Sequence, residues 1–365
     1  MIGTWWAQTI AVVRLEIKKT FFARRGLWIY LLALAPVALF TMQAVAVRTF
    51  RLADPKIPAG GHILSQQEVE EIKTGMTREQ LVSKFGPPAT SRKRTAQKFD
   101  EDGNETSVER ENMRYYAAAS NVNLILENGV VSTTFINRRF TFEQNNYAFA
   151  GVFQFFFIRL AVFFGCLGIF MNLFRGEMLD KSLHYYLLAP IRREILLLGK
   201  YLAGLLAASV IFTASAGLQM IATFSAFDSN TISRYLYQEN GLSQIAAYLG
   251  VTVLACVGYG SVFLAAGLLY RNPIIPAAIV LIWEAANPLL PALLKKFSVI
   301  YYLKALCPLQ IPADPGMPAL LQMLVSNGDP ISSYLAVFGL LALSIIVLGA
   351  SSLKVRTLEI NYTTE

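Results

Sequence analysis

Two ionisable residues stand where apolar ones are the rule. Arg159 interrupts the run Phe149–Phe174, and Glu284 lies within Ile274–Leu294 with Asn287 close behind it. Inside a bilayer each unpaired charge costs about 2.5–3.5 kcal/mol on insertion scales, so such residues mark a polar pathway or a lock between helices. At about 1.5 Å per residue, Arg159 lies ~22 Å and Glu284 ~15 Å above the same membrane face, a gap that an extended arginine bridges. Either role is open on these residues, with the structural lock slightly favoured. Pro288 and Pro291 beside Asn287 predict an irregular end to that segment, as happens where backbone lines a cavity.

A second group is the stretch from Arg175 through Glu177, Asp180, Lys181, Leu183, Tyr185, Leu187, Leu188, Pro190 and Arg193 to Gly199-Lys200. A short helix stopped by Pro190 would expose apolar and aromatic side chains rimmed by charge, the usual mark of a protein contact. On pattern alone, a plain connecting loop fits equally well. No catalytic grouping, metal-binding cluster or phosphate-cradling G-x-x-x-x-G-K-[ST] occurs in the chain. The expectation is therefore a protein that is not an enzyme and holds no cofactor of its own.

The elements that must position these residues are read from hydropathy. The chain has 365 residues, 55% apolar and only 15% charged, well below the roughly 25% of soluble proteins. Six runs are long enough to span a bilayer: Leu27–Val47, Phe149–Phe174, Tyr201–Phe227, Gln244–Tyr270, Ile274–Leu294 and Tyr334–Leu353. Residues 48–146 read as a soluble insertion. The fold class expected is mainly α, a polytopic membrane protein of six transmembrane helices with a small α+β domain outside the cytoplasm.

The net charge of +8 is not a nucleic-acid signal. Residues 48–145 hold 14 Lys/Arg and 13 Asp/Glu, and most other basic residues flank the apolar runs. With the N-terminus in the cytoplasm, 13 of those residues fall inside and only four (Arg234, Lys295, Lys296, Lys304) in short outer loops. This bias predicts both termini inside and the large insertion outside. Trp6, Ile10, Val13, Ile17 and Phe21 recur at helical spacing among Arg14, Lys18, Lys19 and Arg25. Residues 1–26 are thus expected to lie as an interfacial helix in the lipid headgroup plane, in preference to a flexible basic leader. No cleavable signal is expected, and the three cysteines give no disulfide framework.

Within the insertion, 50–60 looks like a linker. Ser65–Thr74 and Thr77–Phe85 read as helices, the second capped by Thr77 and stopped at Gly86-Pro87-Pro88. Strands follow at Arg94–Asp100, Asn112–Ala118, Asn121–Leu126 and Val130–Ile136, the last two joined by the hairpin turn Asn128-Gly129. The run Gly75-Met76-Thr77-Arg78-Glu79-Gln80-Leu81, with Gly86-Pro87-Pro88 and later Asn128-Gly129-Val130, resembles the BamE/SmpA type of small periplasmic domain. That likeness covers about 75 residues. It implies a periplasmic interaction module and an envelope partner for 48–146; the family's lipid-anchored cysteine is missing.

The 175–200 stretch resembles the loop of ABC-2 type transporter permeases, "E-x-x-x-G-T-L-x-x-L-L-x-x-P-[IV]-x-R…GK". Glu177, Leu183, Leu187, Leu188, Pro190, Arg193, Gly199 and Lys200 fill its positions, while Lys181-Ser182 replaces the usual Gly-Thr. The resemblance implies a coupling helix at Asp180–Ala189 docked on a separate ATPase subunit that carries ATP and Mg, a permease dimer, and residence in a bacterial inner membrane. The outer loop 295–332 is long, and Met317–Val325 in it fits a re-entrant or a surface helix equally, the former matching the ABC-2 pattern. Two rivals are a secondary transporter using Arg159 and Glu284, which predicts inverted repeats not visible here, and an envelope-assembly scaffold working through 48–146.

Overall fold

A computed structural model describes residues 2–22, 26–52, 63–99, 105–117, 120–138, 141–179, 192–270, 272, 274–310 and 331–356. The chain divides into two compact units: Met1–Val45 with Asn146–Glu365, and Ala46–Asn145.

The first unit is helical. Helices α1 (Ile2–Phe22) and α2 (Leu27–Leu52) precede the insertion. After it come α5 (Phe142–Val152), a π-helical stretch Phe153–Val162, and α6 (Phe163–Leu179) without a break. Then follow α7 (Arg193–Phe224), α8 (Ser229–Gln238), α9 (Gly241–Leu269), α10 (Ile274–Ala285), α11 (Ala292–Lys295), α12 (Val299–Leu306) and α13 (Ser333–Arg356). Among the described residues, five helices are long and apolar enough to cross a membrane: Leu27–Thr49, Phe142–Phe174, Arg193–Phe224, Gly241–Leu269 and Ser333–Arg356. The chain is thus compatible with a multi-pass membrane protein.

Ile274–Leu294 does not form one continuous helix. Helix α10 has 12 residues, about 18 Å of rise, which is short of a ~30 Å hydrocarbon core. It gives way to a 3₁₀ turn at Asn287–Leu289. The reason is local: Pro288 and Pro291 lack the amide hydrogens that a continuing helix needs.

Helix α9 is apolar all round, as a central helix must be. It packs against α6, α7, α12 and α13. Rings fill the space around it: Phe149 and Phe153 meet Tyr248 edge-on at 5.1 and 4.7 Å, and Phe163 meets Tyr259 and Phe263 at 5.3 and 5.0 Å. Such edge-to-face pairs add about 0.5–1.5 kcal/mol each beyond area burial.

The second unit holds β1 (Ile63–Leu64), α3 (Gln66–Glu71), α4 (Arg78–Phe85), β2 (Thr90–Phe99), β3 (Glu105–Ala117), β4 (Ser120–Glu127) and β5 (Val130–Arg138). Both helices begin with capping boxes, Ser65 with Glu68 and Thr77 with Gln80, which satisfy otherwise orphaned amides. Strand β3 is the hub: it pairs with β2 and β4 antiparallel and with β1 parallel, and β5 follows β4. Asn128 and Gly129 take φ of 51° and 78°, the left-handed pair that a tight β4–β5 hairpin requires. The helices and one sheet face enclose a core of Leu64, Val69, Leu81, Phe85, Tyr115 and Leu124, among others. Strand β2 begins at Thr90, before the expected Arg94.

Candidate functional site

Of the predicted coupling stretch, Asp180, Lys181, Leu183, Tyr185, Leu187, Leu188 and Pro190 lie outside the described residues. Glu177 falls in the last turn of α6. Arg193 opens α7, directly after that stretch, and the base of α7 is where several elements converge.

Three contacts gather there. The Arg192 guanidinium sits 4.9 Å from the Trp5 ring of α1. Arg193 Nη1 donates to the Arg356 carbonyl at 2.8 Å, and Arg356 Nε donates to Glu194 Oε1 at 2.5 Å. The end of α13 is therefore fastened to the start of α7. Glu194 also lies in the first turn of its helix, where a carboxylate meets the positive end of the helix dipole.

One to two turns further on, α1 docks. A Cβ on Gly199 would come within 2.8 Å of the Val12 side chain, so this glycine lets the two helices approach. Next to it Lys200 is wholly buried, and its ammonium donates to Glu16 Oε1 and to the Leu173 carbonyl, both at 2.8 Å. The Phe174 ring centroid lies 5.4 Å away. Lys200 is thus not the loop cation that charge counting takes it for. It sits in the 32-residue helix Arg193–Phe224, satisfied by an acid, a carbonyl and a ring.

Glu16 was missed by the sequence reading. The signal was there: Glu16 is the sole acidic residue before Asp54, and Thr9, Val12 and Glu16 share one helical face. That face is buried, whereas Trp6 and Ile10 remain exposed. The apolar stripe expected to meet lipid is accordingly the side of α1 turned away from α7 at those two positions.

Arg159 and Glu284, for which a lock and a polar pathway are both open on the sequence, have separate surroundings. Glu284 Oε2 accepts from Ser298 Oγ (2.9 Å) and the Ile300 amide (2.8 Å), while Oε1 accepts from the Val299 amide (2.9 Å). It caps the N-terminus of α12. Among the described residues it makes no ion pair with Arg159; its hydrogen bonds go to Ser298 and the first amides of α12. Asn287 Nδ2 donates to the Lys295 carbonyl at 3.3 Å, closing the turn between α10 and α12.

Arg159 projects from the π-helical stretch, 5.7 Å from the Phe155 ring. Its Nη2 is buried without a hydrogen-bond partner. Tyr259 and Glu284 are near enough to interact with it electrostatically, and Lys304 of α12 also feels its charge. π-helical segments are rare and concentrate at functional sites.

Among the described residues of the second unit, Glu111 is a buried ionic group. Glu111, on the core face of β3, accepts from Arg78 Nε at 3.2 and 3.1 Å and from Ser91 Oγ at 2.6 Å. Burial pushes its pKa up, but the hydrogen bonds from Ser91 and Arg78 outweigh this and hold the carboxyl below its ordinary value. Burial raises the Tyr115 phenol to about 12, and its hydroxyl donates to the Gly86 carbonyl. These contacts tie α4 to the sheet at both helix ends. No cluster of three or more metal-ligating side chains occurs among the described residues, and His62 lies outside them.

No family profile, curated protein or solved structure matches the chain.

Proposed function

We propose that the chain is the transmembrane subunit of an ABC-2 type exporter, driven by a separate ATPase subunit docked on the 175–200 stretch. The observation that supports this most is the convergence at the base of α7. The helix that leaves the candidate coupling stretch holds α1 through Lys200–Glu16 and α13 through Glu194–Arg356. A push delivered to the base of α7 would reach both terminal helices through these two contacts. A nucleotide-dependent partner that binds two arrangements unequally can therefore bias the whole bundle. The Gly199-Lys200 pair of the resemblance gains a physical purpose in the same place: close approach and a buried ion pair.

In this reading the protein lies in a bacterial inner membrane as a dimer, with both termini cytoplasmic and residues 48–146 in the periplasm. ATP and Mg belong to the partner chain. Even-numbered crossing requires the segment 274–306 to complete a sixth passage as a broken element, α10 followed by the capped α12. The secondary-transporter reading loses support, because Glu284 is engaged with its own neighbouring backbone.

The test is purification in mild detergent from native membranes, followed by identification of what accompanies the chain and an ATP hydrolysis assay. The expected result is a stoichiometric nucleotide-binding subunit that is lost in the Leu183→Asp, Leu188→Asp double variant. An envelope assembly protein in its place, indifferent to that substitution, would sink the exporter reading and favour the scaffold.

A further inference from the structure

The sheet of the second unit has a covered face and an open one. The pairing registers place Arg92, Arg94, Arg110 and Arg114 together on the open face, opposite in direction to the core residues Met113, Tyr115 and Leu124. Arg94 lies directly across from Arg110, and like charges in that position destabilise a strand pair. Glu127, opposite Arg110 on the other side, is the acid that shares this face. It pairs with Arg110 at 3.1 Å, and Arg114 Nε donates to Asn123 Oδ1 at 2.7 Å. Arg92 and Arg94 are exposed, and neither has a hydrogen-bond or ion-pair partner among the described residues.

The same two arginines lie on a free edge. Among the described residues β2 pairs with β3 and nothing else, and β1 joins β3 only at Tyr116 and Ala117, beyond the end of β2. Pairing of β3 with β4 stops at Arg110. From Thr95 to Phe99, opposite Glu105 to Glu109, the hairpin is therefore a two-stranded ribbon. Such ribbons are marginal in water by themselves. Charge on an edge strand is also a common guard against indiscriminate pairing. A guard of one sign, doubled across the strand pair by Arg110, is at the same time a filter: it repels basic strands and attracts acidic ones.

We propose that the free edge of β2 takes up an extended acidic segment of a partner protein as an added strand, its carboxylates at alternate positions facing Arg92 and Arg94. Side chains of an added strand alternate in direction, so two carboxylates spaced two residues apart would meet two arginines spaced two residues apart. Main-chain hydrogen bonds would supply affinity and the arginines specificity. Guanidinium groups suit this task because they bind carboxylates through two parallel hydrogen bonds. The added strand would give the ribbon a third member and relieve the Arg94–Arg110 repulsion. This inference does not depend on the exporter reading.

The test uses the full chain in nanodiscs of zwitterionic phosphatidylcholine. A labelled peptide of alternating threonine and glutamate, matched to the 10 residues of β2, is titrated by fluorescence anisotropy. A peptide of the same composition with its glutamates in one block is the control. The alternating peptide is expected to bind about tenfold tighter than the block, and Arg92→Ser with Arg94→Ser to abolish at least that advantage, since two charge-assisted contacts are lost. Hydrogen exchange at β2 amides should slow when peptide is added. Retained exchange protection at Met113 and Tyr115 shows that the variant is folded; if it is not, the single Arg94→Ser change gives the readout. Equal binding of both peptides would reduce the face to unspecific charge attraction and overturn the proposal. So would slowed β2 exchange in phosphatidylglycerol nanodiscs with no peptide binding, which would make the ligand a lipid surface.

Discussion

Lys200 Nζ lies 2.8 Å from Glu16 Oε1, and solvent reaches neither ammonium nor carboxylate to any useful extent. The pair joins residues 184 positions apart in sequence. A buried pair of this kind is weak support for stability as such, because desolvation offsets most of the attraction. Its value lies in position: it fixes which turn of α1 meets which turn of α7.

Removing one member should therefore be far worse than removing both. Lys200→Met alone takes the ammonium away from the buried Glu16 carboxylate and should cost about 3–5 kcal/mol. Lys200→Met with Glu16→Leu should recover most of that. Thermal unfolding of the detergent-purified variants reads the difference. Equal losses in the single and double variants would refute the account.

Helix α1 should also undock when its closest approach is blocked. Gly199→Leu places carbon where Val12 now sits, whereas helix propensity alone predicts a gain of up to about 1 kcal/mol over glycine. We expect faster proteolysis of the α1 segment in this variant, and partial restoration by Val12→Ala. Undiminished protection would show that α1 tolerates a wider spacing.

Glu284 and Arg159 should behave as separate groups. Glu284→Ala strips the Ser298 hydroxyl and two amides of their acceptor, each worth about 1–3 kcal/mol when left unsatisfied in a buried place. Arg159→Leu removes an unpartnered donor and should leave stability near that of the parent chain. If the exporter reading holds, Arg159→Leu instead lowers transport-linked ATP hydrolysis. A matched destabilisation by both changes would restore the ion-pair lock.

The second unit should lose stability in acid through Glu111. Its folded pKa lies below the ordinary 4.5, so its contribution is complete above that value and fades as pH falls through the folded pKa. Glu111→Gln should remove that part of the pH dependence, which lies on the acid side of the ordinary glutamate pKa. Hydrogen exchange at Met113 and Tyr115, followed against pH in the full chain, is the measurement. An unchanged acid profile in the variant would assign the transition to another carboxylate.

The helices of the second unit were legible because their signals are local. Thr77 with Gln80, and Asn128 with Gly129, act within three residues of each other, so spacing alone announces a cap or a turn. The long apolar runs were legible for a related reason: about 20 successive apolar residues can satisfy their backbone within one helix, and α2 does so even through Pro36.

The candidate site was legible only in part. Arg193, Gly199 and Lys200 were singled out by spacing, yet their partners Arg356, Val12 and Glu16 lie at the two ends of the chain. Periodicity carries no information about such pairings. The sequence by itself determined a chain of long apolar helices interrupted by a mixed helix-and-strand insertion, because burial and backbone hydrogen bonding act on neighbouring residues. Only the tertiary structure decided that Lys200 is a buried partner of Glu16, that Glu284 caps a helix in place of pairing with Arg159, and that four arginines share one sheet face. Those outcomes depend on which elements pack together. A charge buried by packing takes whatever donor or acceptor the neighbouring element brings within reach.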